Sequence, residues 1–136
     1  MADTIHLDIV TPERVLFSDP VEMVTAPGTL GEFGVLPGHA AFATTLEAGE
    51  VSIKKESQTL FGAISGGFVE IGGDKITILA DAAEMANEID VERAQAAKAR
   101  AEETLKDITN EDSQYQENAA ALKRADNRLK VAARKA

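Results

Sequence analysis

Four arginines in the second half of the chain are spaced so that their side chains can act together. Arg93 and Arg100 are seven residues apart, and Arg124 and Arg128 are four apart, so each pair shares one face of a helix. If the two helices fold back on each other, the four guanidinium groups would converge. Converged guanidinium groups bind phosphate, because each one presents a planar fork of donors.

Two neighbouring residues extend this hypothesis from a phosphate to a nucleotide. The carboxylate of Asp90 would accept a hydrogen bond from a base or a ribose, and Ile89 would pack against a ring. The alternative is that the arginines form ordinary surface salt bridges, each worth about 0–1 kcal/mol. The spacing alone favours the salt bridges.

A second unusual segment is Gly31–His39, which holds three glycines and one proline. This composition predicts a shaped loop instead of a strand, and Glu32 and His39 are its only large polar side chains. It is either a turn-rich connection or a loop that contacts another protein, since rigid scaffolds present binding groups on loops. One His and one Glu supply too few ligands for a metal site.

No motif in the sequence indicates catalysis. It has no glycine-rich dinucleotide loop, no phosphate-binding Gly-Lys-Ser loop and no nucleophile elbow. Ser65 beside Gly66-Gly67 is interpreted as a turn residue. We therefore predict no catalytic residue, no metal and no required cofactor.

Charge is distributed unevenly along the chain. The net charge is −9, composed of −10 for residues 1–88, −2 for 89–111 and +3 for 112–136. An acidic body argues against binding of nucleic acid or anionic lipid by that half. The basic end would suit an acidic partner, a phosphate or the body itself. Cysteine is absent, and no apolar run approaches the ~20 residues that span a bilayer.

The first half of the chain alternates apolar and polar residues, as half-buried strands do. About eight short strands are predicted, with breaks at Ser18-Asp19-Pro20, at Gly49 and at Gly66-Gly67, and a hairpin turn at Gly72-Gly73-Asp74. This spacing, without intervening helices, is typical of a sandwich or a barrel.

The second half repeats apolar residues every three or four positions, which predicts a helical hairpin. The first stripe contains Val91, Ala94, Lys98, Ala101, Leu105 and Ile108; the second contains Tyr115, Ala119, Leu122, Asp126, Leu129 and Ala133. Lys98 and Asp126 are the polar exceptions. We predict that Asn87 opens the first helix and that Asp112-Ser113 caps the second.

Both stripes consist mostly of alanine, so burying them gains little free energy. This leads to the hypothesis that the hairpin can detach from the strands at low cost.

Several longer strings together match one family. They are IHLDIVTPERVLFSD from Ile5, VEMVTAPGTLGEFGVLPGHA from Val21, SGGFVEI from Ser65, KITILAD from Lys75 and IDVERA from Ile89. Over essentially its whole length the chain resembles the epsilon subunit of the bacterial F-type ATP synthase.

The resemblance implies an α+β fold with an N-terminal antiparallel β-sandwich of about ten strands in residues 1–85 and a two-helix hairpin in residues 86–136. It implies a non-catalytic rotor part that docks on the gamma subunit and contacts the ring of c subunits through Glu32 and His39. Such a protein lies on the cytoplasmic face of the bacterial inner membrane, attached through the complex and not inserted in the lipid.

The family also implies regulation. Its C-terminal helices inhibit ATP hydrolysis when they extend into the alpha/beta catalytic head, and in some members ATP binds to the folded hairpin and favours it. The residues that match the family's ATP contacts are Glu84, Ile89, Asp90, Arg93, Ala94, Arg100, Arg124 and Arg128. With all of them present, the resemblance favours ATP as a regulatory ligand of this chain.

Two rival functions belong to other classes. One is a free cytosolic ATP sensor that uses the helical hairpin alone, and the other is an adaptor whose helices grip client proteins. Neither rival needs the segment Gly31–His39, which therefore separates them from the rotor interpretation.

Overall fold

The computed structural model describes residues 3–38 and 41–134, and it confirms the α+β class with a β-sandwich followed by a helical hairpin. The elements are β1 (Ile5–Val10), β2 (Val15–Val21), β3 (Met23–Gly28), β4 (Gly31–Val35), β5 (Phe42–Lys55), β6 (Gln58–Gly72), β7 (Lys75–Ala80), β8 (Ala83–Met85), one turn of 3-10 helix (Ala86–Glu88), α1 (Val91–Lys106) and α2 (Tyr115–Ala132). Within the described ranges, no helix combines the length and the apolar character needed to cross a bilayer.

The strands follow the order β2-β1-β7-β6-β5-β3-β4, with β8 added to β6. Neighbouring strands are antiparallel except β1 and β7, which run parallel. The buried side chains of β1 and β7 share one core with those of β3 and β4. The strand path must therefore fold over itself, and this produces the two layers of the sandwich.

The core explains why the strands form where they do. Sixteen buried residues make up one continuous cluster, and all of them belong to strands β1 to β7. Ile5, Leu7 and Ile9 alternate with half-buried polar residues along β1, and Ile76 and Ile78 do the same along β7. A fully buried Ile, Leu or Val contributes about 1.5–3 kcal/mol, so this cluster is the main source of stability.

The predicted breaks at Gly49 and at Gly66-Gly67 are wrong, because β5 and β6 are single long strands that pair along nearly their whole length. Their glycines permit close contacts within the strands. A Cβ atom on Gly67 would lie 2.2 Å from the carbonyl oxygen of Leu79, and one on Gly49 would lie 2.6 Å from Pro27. Glycine here marks a close approach of two strands and not a strand end.

The predicted break at Ser18-Asp19-Pro20 is also wrong, since β2 continues through it. β2 is the end strand of the path, and Pro20 lies opposite His6 of β1. An edge strand tolerates proline because one of its sides needs no ladder donor.

The segment predicted to be a loop is partly a strand. Gly31–Val35 forms β4 and pairs with β3 across a two-residue turn, Thr29-Leu30. Backbone pairing outweighs the low strand propensity of its glycines, and Gly34 leaves room for the side chain of Met23, whose Cε atom would lie 3.0 Å from an added Cβ. His39 lies outside the described residues.

Both predicted helix caps need correction. Asp90 caps α1, and its carboxylate accepts a hydrogen bond from the backbone N–H of Arg93, whereas Asn87 lies inside the 3-10 turn. The N-cap of α2 is Gln114, which makes no side-chain cap bond. Asp112 instead accepts a hydrogen bond from the backbone N–H of Gln114 within the connecting turn.

The two polar exceptions in the helical stripes contact each other. Lys98 Nζ lies 3.1 Å from Asp126 Oδ1, so an ion pair joins the helices within their alanine-rich contact. The apolar stripe predicted for α2 omits the residues of this helix that are fully buried, which are Ala125, Val131 and Ala132. α2 packs against both α1 and the β domain, so it needs two buried faces and not one stripe.

A polar cluster lies on the outer surface of β1, centred on Asp8. Its carboxylate accepts hydrogen bonds from the hydroxyl of Ser18 at 2.6 Å, from Lys75 Nζ at 3.1 Å and from the ring of His6 at 3.0 Å. The Ser18 hydrogen bond is the largest of the causes that lower the pKa of Asp8 to about 2, with further contributions from Lys75 and His6. The cluster ties β2, β1 and β7 together at the surface.

We expect Asp8→Asn to lower the free energy of unfolding by about 1–2 kcal/mol at pH 7, a range that allows for screening at the surface. The pKa of this carboxyl is about 2 in the folded chain against a reference value of 3.8, so its contribution is present above pH ~4 and is lost as the pH falls toward 2. Urea unfolding at pH 7 and pH 2 measures the difference. Glu70→Gln, an exposed carboxylate on the same face, is the control; an equal effect of the two variants at both pH values would contradict this account.

Candidate functional site

A cavity lies between the helical hairpin and the β domain. Its volume is about 590 Å³, and its walls come from β6, from β8 with the segment before it, and from both helices. Pockets that bind small molecules usually measure about 300–1,000 Å³. The cavity exists because the facing side chains are small, including Ala97 and Ala101 on α1 and Ala121 and Ala125 on α2.

Four of the predicted site residues meet at this cavity: Glu84, Arg100, Arg124 and Arg128 all line it. Arg128 Nε donates to Glu84 Oε1 at 2.7 Å, and both side chains are about one-quarter to one-third exposed. In the part of the chain that the structure describes, Arg100 and Arg124 form no ion pair. Three guanidinium groups and one carboxylate leave the lining with an excess of positive charge, which suits an anion.

The other four predicted residues, Ile89, Asp90, Arg93 and Ala94, do not line the cavity. Ile89 and Ala94 are buried, Asp90 caps α1, and Arg93 is exposed. Ala94 lies three residues before Ala97, which does line the cavity, so this segment adjoins its wall on one helix face.

Polar contacts hold α2 on the β domain. Arg134 Nε lies 3.1 Å from Glu50 Oε2, and its guanidinium lies 5.2 Å from the centre of the Phe61 ring. Lys123 Nζ lies 3.8 Å from Glu47 Oε2, and the amide of Asn127 donates to the carbonyl of Gly49 at 2.8 Å. Of the three partners that the basic end would suit, the folded chain uses its own acidic body.

The apolar contact between hairpin and β domain is small. Its cluster contains Ala63, Ala86, Ile89, Val131 and Ala132, with Phe61 and Val91 packed at its margin. Only Ile89 and Val131 are both large and buried in this cluster, compared with fourteen such side chains in the β core. Exposed ion pairs add only about 0–1 kcal/mol each. The docked hairpin is therefore held more weakly than the strands are.

A row of apolar side chains crosses the outer face of the sandwich. Val15, Val10, Leu79 and Phe68 are successive register partners on β2, β1, β7 and β6. Val15, Leu79 and Phe68 are 61%, 51% and 39% exposed. Sequence analysis did not identify this row, although an outward Leu79 among inward Ile76, Ile78 and Ala80 was a usable signal. Aligned exposed apolar side chains of this kind mark a contact surface.

The turn between β3 and β4 is a second exposed feature. Leu30 at its tip is 96% exposed, and Glu32 follows on β4 opposite Pro27. The structure thus presents Glu32 to solvent on a paired strand close to an exposed leucine. The other predicted contact residue of this segment, His39, lies outside residues 3–38 and 41–134.

Comparison with known proteins gives a consistent result. Residues 4–86 match the family model described as ATP synthase, Delta/Epsilon chain, beta-sandwich domain, and residues 87–133 match the model for the long alpha-helix domain of the same family. The chain is 48% identical to the ATP synthase epsilon chain of Geotalea uraniireducens and 47% identical to that of Geobacter sulfurreducens, over 100% of this chain and 99% of each relative.

Solved structures agree with these matches. A chain in the Euglena gracilis mitochondrial ATP synthase, in an assembly of OSCP, F1 and c-ring, superposes with a TM-score of 0.78 at 25% identity, covering 91% of this chain and 78% of that one. A chain from the central stalk and c-ring of the Tetrahymena thermophila mitochondrial ATP synthase gives a TM-score of 0.63 at 15% identity, covering 96% and 95%. The second likeness concerns the fold alone.

Proposed function

Since the chain belongs to the ATP synthase delta/epsilon chain family, we propose that it is the non-catalytic epsilon subunit of a rotary proton-translocating ATP synthase. It works on the cytoplasmic face of a bacterial inner membrane, where it is attached through the complex. The observation that carries this proposal is the full-length similarity to bacterial epsilon chains, which covers both the sandwich and the hairpin.

The β-sandwich is the part that docks on the rotor. Its outer apolar row, formed by Val10, Val15, Phe68 and Leu79, supports a contact with the gamma subunit, because exposed aliphatic and aromatic side chains provide the core of such interfaces. We propose that the segment with Glu32 and His39 makes the contact with the ring of c subunits. Through these two surfaces the domain couples rotation of the ring to gamma.

The helical hairpin is the regulatory part. When docked it pairs Lys123, Arg128 and Arg134 with glutamates of the β domain. On release the same basic residues become available to acidic segments of the alpha/beta catalytic head, where the extended helices inhibit ATP hydrolysis. The weak apolar contact beneath the hairpin supports this exchange, since release exposes little buried surface.

ATP is the proposed ligand of the docked state. Arg100, Arg124 and Arg128 would bind the phosphates, and the alanine-lined part of the cavity would accommodate the base beside the segment with Ile89, Asp90, Arg93 and Ala94. ATP binding between hairpin and β domain stabilises docking only as far as it favours that state over the extended one. The cavity would also suit a free cytosolic ATP sensor, but such a protein has no use for the outer apolar row.

We expect the double substitution Phe68→Asp with Leu79→Asp to weaken binding to gamma by about tenfold or more, because it places two charges in the centre of the contact. Size-exclusion chromatography of the mixture, followed by titration, measures the loss. Leu36→Asp is the control, since Leu36 is likewise an exposed apolar residue, at 56%, and follows β4 at the other end of the strand path. If the unsubstituted chain failed to co-elute with gamma, the rotor assignment would be lost.

We expect Arg124→Gln and Arg128→Gln each to weaken ATP binding by about tenfold or more, since a hydrogen bond to a charged group contributes about 1.5–3 kcal/mol. Isothermal titration calorimetry on the full chain measures the affinity. Lys130→Gln removes a positive charge from α2 outside the cavity lining and outside the ion pairs of the described residues, and it should leave the affinity within about twofold. An absence of heat from the parent chain with millimolar ATP would remove the sensing proposal and leave the rotor proposal intact.

We expect the assembled complex to hydrolyse ATP faster when the chain ends at Glu88 than when it carries the hairpin. The truncated β domain keeps its entire main core, so its docking on gamma should survive. Steady-state ATP hydrolysis with matched subunit content is the measurement, and co-elution with gamma is the control. Equal rates for the two complexes would show that the hairpin of this member does not inhibit.

A further inference from the structure

One ion pair, between two residues far apart in sequence, fixes the link between the β domain and α1. Glu88 ends the 3-10 turn, and Arg14 lies in the connection between β1 and β2. Arg14 Nη1 lies 2.9 Å from Glu88 Oε2, and Nη2 lies 3.1 Å from Oε1. The two parallel hydrogen bonds fix direction as well as distance, which a single-point contact does not do.

Arg14 belongs to a rigid turn of the β domain. Thr11 is buried, at 8% exposure, and its hydroxyl oxygen accepts hydrogen bonds from the backbone N–H groups of Glu13 and Arg14. The backbone N–H of Thr11 donates to the carbonyl of Arg14 at 2.9 Å and closes the turn. A side-chain-closed turn of this kind holds its backbone in one conformation, so Arg14 starts from a fixed position.

Glu88 ties the linker to the same point. Its Oε1 atom also accepts the backbone N–H of Met85 at 3.0 Å, and the next residue, Ile89, is buried against Ala63 and Ala86. Asp90 then begins α1. Met85, Glu88 and Ile89 are thus attached to the β domain, and the backbone passes from the sandwich into α1 at the Ile89–Asp90 junction.

The charges around Arg14 connect this point with the cavity. The pKa of Arg14 is raised, first by its hydrogen bonds to Glu88 and further by the nearby carboxylates of Glu84 and Glu13. Hydrogen bonds from Arg14 likewise lower the pKa of Glu88. Glu84 also accepts from Arg128 of α2. Arg14 therefore sits beside the same carboxylate that holds α2 in its docked position.

We propose that the ion pair of Arg14 with Glu88 anchors the hinge about which the hairpin turns, and that this pairing favours the docked hairpin. The pair keeps residues 85–89 on the sandwich and confines the bending to the Ile89–Asp90 junction. Without the ion pair, the 3-10 turn can lose its contact with β6. Ile89 is then held less tightly, and the orientation of α1 relative to the sandwich is no longer fixed. The inference rests on the movement of the hairpin proposed above.

The first test is hydrogen–deuterium exchange on the full chain, with the variants Arg14→Gln, Glu88→Gln and both together. We expect amides of residues 85–91 to exchange about two- to fivefold faster in each single variant, in line with the free energy of an exposed pair. The double variant should match the singles, because the partners act as one unit. Lys106→Gln is the control, since the ion pair of Lys106 among the described residues is with Glu103 inside α1.

The second test follows the hairpin itself. The chain has no cysteine, so cysteines introduced at the exposed positions Ser57 and Glu111 accept a dye pair cleanly for energy-transfer measurements. We expect Arg14→Gln and Glu88→Gln to raise the population with the longer distance about two- to fivefold, and Lys106→Gln to leave it unchanged.

Two results would overturn the hinge proposal: unchanged exchange at residues 85–91, or faster exchange with no change in the long-distance population. A different result would affect only the proposed nucleotide regulation. If Arg14→Gln raised the long-distance population while ATP changed neither the distances nor the heat of mixing, the hinge would stand and ATP sensing would fall.

Discussion

The small size of the side chains between the hairpin and the sandwich governs most of what this chain can do. Alanine methyl groups fill the contact where a stable domain would place leucine or phenylalanine, so little apolar surface is removed from water. The same choice leaves a cavity of about 590 Å³ in the interface. One compositional feature thus accounts for both the weak attachment of the hairpin and the cavity beneath it.

Electrostatics compensates for this weak packing and determines how the hairpin lies. The acidic β domain and the basic second helix attract each other broadly, and individual pairs such as Arg134 with Glu50 fix the register. Exposed pairs contribute direction more than strength, because water screens them in either state. If the hairpin undocked, water would solvate the separated charges and offset part of the lost ion-pair energy. The pairs therefore fix the position of the docked hairpin while adding little to the free energy that holds it there.

Sequence patterning predicted the parts that depend on burial alone. Alternation identified β1 and β7, and the three-to-four spacing identified both helices, because each of these elements has a buried side and an exposed side. Patterning failed where a residue serves a neighbour distant in sequence. Gly49 and Gly67 were interpreted as breaks because their close contacts with Pro27 and Leu79 are tertiary. The ion pair of Arg14 with Glu88 had no signal, since 74 residues separate the partners. Spacing correctly grouped Arg100, Arg124 and Arg128 but could not show that Arg93 does not line their cavity.

β5 and β6 run as unbroken strands of 14 and 15 residues through both layers of the sandwich. One part of β6 pairs with β7 and carries Phe68, while the part nearer its start pairs with β8 and packs Ala63 under the hairpin. The outer row and the surface under the hairpin are consequently joined by the continuous backbone of β6 and by its hydrogen bonds to β5, and not only by side-chain packing. We therefore expect the outer row and the surface under the hairpin to keep a fixed separation, because one pair of strands carries both.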